Sequence, residues 1–394
     1  MEIIRQFYLE QLKKHQDKRI IKIVSGIRRC GKSTLLKQFA DFLYESGVKK
    51  EQVIYLNLDD IGLEFLDYKQ LHQYISDRLF KEGISYIFLD EVQNIAEFQK
   101  AVNSLFLKDN VDIYITGSNA HLLSGEFSTL LTGRFVEIQM LPLSFKEYFG
   151  ARGGEAKMCF DDYLKYTSFP YAADISDIDE INDYLKGIYS SVLLKDTAQR
   201  NKISDLTLLE NIVKFLFDNI GNIVSSKKIS DFLSSAGRKT SPATVENYIQ
   251  ALCGSFILYK CQRYDIKGKQ YLKSLEKYYL ADFGFRRILL GNRNLDFGRV
   301  LENAVYLELL RRGNRVNIGK VNNLEIDFIS QSAKEIIYYQ VCQNLQNEET
   351  LLRELNPLKA IKDNYRKFII TADDPERSID GIEIKNIIDF LLGE

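Results

Sequence analysis

Residues 26–33 read Gly-Ile-Arg-Arg-Cys-Gly-Lys-Ser, a complete G-x-x-x-x-G-K-[ST] phosphate-binding pattern. Its residue types suit that chemistry. Gly26 and Gly31 let the backbone wrap an anion with no Cβ in the way. The loop N–H groups and the N-terminus of a following helix then point at the phosphate. Lys32 can reach β- and γ-phosphate oxygens, and the Ser33 hydroxyl can ligate Mg²⁺. The expected nucleotide contacts are therefore Gly26, Ile27, Arg28, Arg29, Cys30, Gly31, Lys32, Ser33 and Thr34.

Further along, Tyr86-Ile-Phe-Leu-Asp90-Glu91 is four apolar residues followed by two acids. A buried strand there would place Asp90 beside the loop to hold Mg²⁺ together with Ser33. Glu91 would orient and deprotonate an attacking water. The next strand-like run, Asp112–Thr116, ends in Gly117-Ser118-Asn119. Ser118 and Asn119 are equal candidates to sense the γ-phosphate or hold the water. Leu131-Thr-Gly-Arg134-Phe135 offers Arg134 to neutralise transition-state charge, in cis or from a neighbouring subunit, with Arg28 and Arg29 as alternatives.

The loop needs a strand before it and a helix after it. Ile20-Ile-Lys-Ile-Val24 supplies the first and Thr34-Leu-Leu-Lys-Gln-Phe39 the second. Short apolar runs at Ile20–Val24, Val53–Leu58, Tyr86–Leu89, Val111–Ile115 and Phe135–Ile138 alternate with helical segments. This predicts a parallel sheet covered on both faces. Residues 1–18 are expected to form a short amphipathic helix. The pattern breaks at Gly150–Glu155, which suggests a boundary, and residues 156–220 are predicted to be mostly helical. Residues 222–285 change rhythm. Ser225 or Ser226 caps a helix through Leu233, and Ser241-Pro242 starts a second through Leu252, with Pro early in the helix. Strand-like runs at Phe256–Cys261 and Lys277–Leu280 complete a winged-helix pattern. Its second helix carries Glu246 and no Lys or Arg, so phosphate contacts would fall to Arg238, Lys239, Arg263, Lys267 and Lys269. A winged helix that packs against protein is favoured over one that reads bases. Residues 298–394 are expected to form a small α/β domain.

With 394 residues the chain is too long for one core, and 45% hydrophobic with 27% charged residues is ordinary for a globular protein. A net charge of −1 advertises no global attraction to nucleic acid, without excluding a local patch. The five cysteines (Cys30, Cys159, Cys253, Cys261, Cys342) are scattered without metal-type spacing, which suits reduced thiols in a cytoplasmic protein. Three histidines make a His-built metal site improbable. No apolar run approaches the roughly 20 residues of a membrane span.

Taken together, these residues resemble the AAA-type ATPases of bacteria and archaea that carry a characteristic C-terminal region. The carrying pieces are Gly26-Ile-Arg-Arg-Cys-Gly-Lys-Ser-Thr-Leu-Leu, Phe88-Leu-Asp-Glu-Val-Gln, Thr116-Gly-Ser-Asn and Leu131-Thr-Gly-Arg-Phe. Leu141-Pro-Leu-Ser-Phe-Lys-Glu-Tyr resembles the family's LPLSFxEF segment, and Leu194-Lys-Asp, Asn219-Ile-Gly, Gly298-Arg-Val-Leu-Glu-Asn and Glu325-Ile-Asp-Phe extend the likeness over nearly the whole chain. The resemblance implies an α/β fold with a P-loop NTPase domain of AAA type (1–150), a helical and winged-helix region (151–290) and a restriction-endonuclease-like α/β domain (291–394). It implies ATP and Mg²⁺ as cofactors and an extra strand between the loop strand and the Asp-Glu strand. The last domain's resemblance to nucleases would place Glu302, Asp327 and then Gln340-Val-Cys342 at a metal site. Gln340 stands where the second acid is expected and Cys342 where the lysine is. An amide is a poor ligand for a hard cation, so a scaffold without nuclease activity is expected.

The expected function is a nucleotide-driven ATPase switch acting on DNA or a protein partner, with homo-oligomers possible by analogy and no membrane. An ATP-dependent nuclease, or a module that binds nucleotide with little turnover, are the alternatives.

Overall fold

The computed structural model describes residues 2–63, 67–120, 131–272, 275–291, 296–373 and 377–393. The chain forms two compact units, Met1–Met140 with Gly254–Phe256, and Leu141–Cys253 with Ile257–Glu394.

The first unit is an α/β layer structure. Its strands are β1 (Ile21–Ser25), β2 (Val53–Asn57), β3 (Ser85–Asp90), β4 (Val111–Gly117) and β5 (Phe135–Gln139). They form a sheet in the order β2-β3-β4-β1-β5 whose pairings are all parallel. The expected extra strand is β4, between β1 and β3. The helices are α1 (Gln6–His15), α2 (Lys32–Glu45), α3 (Tyr68–Ser76) and α4 (Phe98–Phe106). β3 and most of β4 are buried end to end, as a strand covered on both faces must be. Strand alternation separates the faces. Ile87, Leu89, Ile113 and Ile115 join Leu71, Ile75, Val102 and Leu105 of α3 and α4. Phe88 and Tyr114 stack at 4.9 Å and meet Phe39 of α2 on the other side. Full burial of a side chain such as Phe39 is worth about 1.5–3 kcal/mol. The aromatic face also holds the buried ion pair Lys22–Asp112, to which Tyr114 donates at 2.7 Å.

The second unit opens with α5 (Phe145–Arg152), inside the stretch expected to close the first domain. Sequence places the break at 150–155, where Gly153, with φ 67°, ends α5; the division into compact units falls at Met140/Leu141. The reason is packing. Phe145 meets Phe160 and Tyr163 at 5.2 and 5.6 Å, and Leu143 O accepts from the Tyr163 hydroxyl. Ser144 and Glu147 form a reciprocal capping box, the physical content of the Leu-Ser-Phe-Lys-Glu motif. Then come α6 (Ala156–Lys165), α7 (Ile178–Ser190), a π-helical stretch (Ser191–Gln199) and α8 (Leu206–Asp218).

The winged-helix pattern corresponds to α9 (Ser226–Ser235), α10 (Pro242–Gly254) and the antiparallel pair β6 (Leu258–Cys261) and β9 (Lys277–Leu280). Between them lie β7 (Arg263–Asp265) and β8 (Gln270–Tyr271). β7 pairs in parallel with β10 (Arg315–Val321), so this region and the C-terminal one share a sheet. After α11 (Phe283–Leu290) and α12 (Phe297–Arg311) the sheet continues through β11 (Leu324–Gln331), β12 (Ile336–Cys342), α13 (Glu348–Ala360), β13 (Arg366–Thr371), β14 (Arg377–Ile379), β15 (Ile382–Asn386) and α14 (Ile387–Leu392). Among the described residues its order is β14-β15-β13-β12-β11-β10-β7-β8. No helix among them is long and apolar enough to cross a membrane.

Candidate nucleotide site

The loop joins the C-terminal end of β1 to α2. Gly26 takes φ 153°, and a Cβ there would meet the Met140 carbonyl oxygen at 2.2 Å, so the position admits only glycine. Gly31, at φ 106°, turns the chain into α2, and no side chain caps that helix. Its first N–H groups are thus available to an anion. Ile27 and Cys30 are fully buried, Arg28 is half-buried, and Arg29 and Thr34 are exposed. What Ile27 and Cys30 can offer a phosphate is backbone. Burial also pushes the Cys30 thiol up, so it stays protonated. Arg5, ahead of α1 and buried, donates to Cys30 O at 2.9 Å and braces the loop from beneath.

Lys32 is 3% exposed, and its ammonium donates to Gly26 O (3.1 Å) and Ile27 O (3.2 Å). Its distance to Glu91 Oε1 is 3.8 Å. Asp90, at the end of β3, is buried. Desolvation raises its pKa, opposed by hydrogen bonds from the Ser33 and Thr116 hydroxyls. Glu91 follows in left-handed backbone (φ 55°), a conformation costing a non-glycine residue roughly 1–2 kcal/mol. Its N–H donates to Thr116 Oγ1 at 2.8 Å, and its carboxylate accepts from Gln93 Nε2. Thr116 therefore bridges the two acids, donating to Asp90 and accepting from Glu91. It sits opposite Val24 in the β1–β4 register, one residue from the loop strand's end.

The predicted residues are not all gathered here. Lys32, Ser33, Asp90 and Glu91 come together. Ser118 lies just beyond β4 with its Oγ buried and without a hydrogen-bond partner among the described residues, and Asn119 is buried next to it. Arg134 is elsewhere. It precedes β5, whose first residue pairs with Ile21, so it lies at the N-terminal edge of the sheet, opposite the loop. A five-residue strand puts roughly 16 Å between the two edges. There Arg134 donates to Asn103 Oδ1 at 2.8 Å. A cis role for it fails on this geometry. Arg5 and Thr116 were missed by sequence reading. Thr116 had a signal in its place at a strand end beside the loop; Arg5 had none.

The donor set suits a nucleotide with Mg²⁺. A hydroxyl and a carboxylate are hard oxygen ligands, no side chain caps the helix that follows the loop, and the Ser118 hydroxyl is buried without a hydrogen-bond partner among the described residues.

In the second unit, Glu302, Asp327, Gln340 and Cys342 do lie in one region. Gln340 Oε1 accepts from Asp327 N (2.8 Å), and its Nε2 donates to Glu354 Oε2 (3.0 Å). Burial pushes the Cys342 thiol up to about 12, so it cannot replace an ammonium. Gly221, at φ 68° in Asn219-Ile-Gly, brings backbone so near Glu302 that a Cβ would lie 3.1 Å from Oε2. Arg238 is paired with Asp205 at 2.9 Å, and Arg263 lies in β7, while Lys239, Lys267 and Lys269 are exposed.

Fold and loop define a P-loop ATPase of AAA type. Comparison with known proteins agrees: residues 18–149 match the AAA domain family, and residues 159–296 match a domain of unknown function, DUF8612. An uncharacterized protein of Haemophilus influenzae is 41% identical over 99% of this chain and 98% of its own. The uncharacterized protein MJ1544 of Methanocaldococcus jannaschii is 30% identical, over 90% of this chain and 82% of its own. The chain belongs to this family of AAA-domain proteins. Among solved structures, the Walker-type ATPase PABY2304 of Pyrococcus abyssi aligns with a TM-score of 0.51 at 15% identity, covering 73% of this chain and 96% of that one, a likeness of fold.

Proposed function

We propose that the chain is a Mg²⁺-dependent ATPase whose nucleotide state switches its interaction with a protein partner. The Thr116 bridge between Asp90 and Glu91, beside Lys32 and Ser33, carries this reading. Ser33 and Asp90 would hold Mg²⁺, which would supply charge neutralisation at the phosphates. Lys32 exchanges the Gly26 and Ile27 carbonyls for β- and γ-phosphate oxygens. Glu91 would then orient a water and take its proton, and Ser118 can donate to the γ-phosphate.

A protein partner is favoured over DNA because α10 carries no Lys or Arg and Arg238 is committed to Asp205. The test is Mg²⁺-dependent ATP hydrolysis by wild type and Glu91→Gln, with and without duplex DNA. The variant should bind ATP yet lose about 10²–10⁴-fold in turnover. Stimulation of wild type by DNA would move the partner from protein to DNA. Absence of any wild-type turnover would leave a nucleotide-binding module.

Arg134, facing away from its own loop, is assigned to a neighbouring copy's γ-phosphate. Arg134→Ala should lose about 10³-fold in turnover, and mixing it with Lys32→Ala chains should restore part of it. Unchanged turnover reduces Arg134 to its contact with Asn103.

A further inference from the structure

The second unit buries a lysine among carboxylates that the ATPase reading does not use. Lys277, on β9, is 4% exposed. Its Nζ lies 2.8 Å from Glu302 Oε1 on α12, 2.8 Å from Glu325 Oε1 on β11 and 4.0 Å from Asp327 Oδ1 on β11. The remaining donors around it are committed. The Tyr279 hydroxyl donates to Glu302 Oε1 at 2.6 Å, and Val341 N donates to Asp327 Oδ2 at 2.8 Å. Gln340 donates to Glu354, whose other oxygen takes Arg353.

Three carboxylates turned toward one point are the donor set of a hard divalent cation. Here a tethered ammonium stands at that point, with its three N–H bonds matching the three acids in number. Burial alone would lower the Lys277 pKa, but Glu302, Asp327 and Glu325 outweigh it and push it up, so the charge is permanent at neutral pH. Among the described residues no group of three His, Cys, Asp or Glu is placed to hold a metal ion.

We infer that Lys277 is a built-in counter-cation: it occupies the cation position of the Glu302–Glu325–Asp327 cluster, keeps divalent metal out and ties β9 to α12 and β11. The inference does not depend on the ATPase reading. It explains why Gln340 and Cys342 are tolerated, since a centre that never binds metal needs neither an acid nor a lysine at those positions.

The test is Mn²⁺ binding to the full chain without nucleotide, followed by electron paramagnetic resonance and thermal melting. The variants are Lys277→Met, Asp327→Asn and the double variant; Mn²⁺ bound near Asp90 is common to all and cancels. Wild type and Asp327→Asn should bind equally. Lys277→Met should gain one Mn²⁺ site that wild type lacks, and lose it again on adding Asp327→Asn. Wild-type binding that depends on Asp327 would overturn the proposal, since metal and ammonium would then share the site. A folded Lys277→Met that gains nothing would overturn it as well. If Lys277→Met does not fold, the wild-type and Asp327→Asn pair still decides: equal binding supports the inference, unequal binding defeats it.

Discussion

Lys32 in the first unit and Lys277 in the second are both buried beside acids, and the two are held in opposite ways. Lys32 rests on two backbone carbonyls at 3.1 and 3.2 Å, with Glu91 at 3.8 Å. Lys277 touches two full carboxylates at 2.8 Å with a third nearby. Neutral carbonyls bind an ammonium weakly compared with a phosphate, so Lys32 is free to transfer to a ligand. Saturation by charge in a dry site makes Lys277 part of the framework. Burial and residue type are the same; the partners decide whether the lysine serves chemistry or architecture.

The largest effect that could break this contrast is on stability. Lys277→Met should cost about 3–5 kcal/mol in denaturant unfolding, because it strands buried carboxylates. Lys32→Ala should cost no more than about 1.5 kcal/mol, the range of a lost hydrogen bond. Equal losses would erase the distinction. In turnover the order reverses: Lys32→Ala should fall about 10²–10³-fold, while folded Lys277→Met keeps its ATP hydrolysis.

A smaller effect sharpens the comparison through pH. Burial raises the Asp90 pKa, so its favourable contribution to the fold is present below the ordinary aspartate value near 3.9 and is lost as pH rises through the raised value. Asp90→Asn should therefore melt close to wild type at low pH and become the more stable of the two toward neutrality. Melting difference against pH, without nucleotide or metal, reads this directly. A difference that does not grow with pH would remove the desolvation argument.

The loop and the acid pair were legible because each is local. Gly26 to Ser33 is one turn of chain, and Asp90-Glu91 ends a run whose four apolar residues announce a buried strand. The five strands of the first sheet were legible for the same reason. Other elements were not. β7 is only Arg-Tyr-Asp and β8 only Gln-Tyr, too short and too polar for a periodic signal, yet β7 fuses the winged-helix-like region to the C-terminal sheet. The β14–β15 hairpin had a signal that was not read: Asp380-Gly381 between Ile379 and Ile382, with φ of 52° and 78°.

By itself the sequence determined what a contiguous stretch can encode: the phosphate loop, the strand that delivers two acids, the capping box at Ser144 and Glu147, and the family. Tertiary structure decided what depends on residues far apart in the chain. It made Thr116 the bridge between Asp90 and Glu91, set Arg134 on the far edge of the sheet, and supplied from β9 the ammonium that Cys342 cannot provide. Chain neighbours fix local geometry and charge pattern. Which side chain meets which charge in a dry interior is settled only by register and packing.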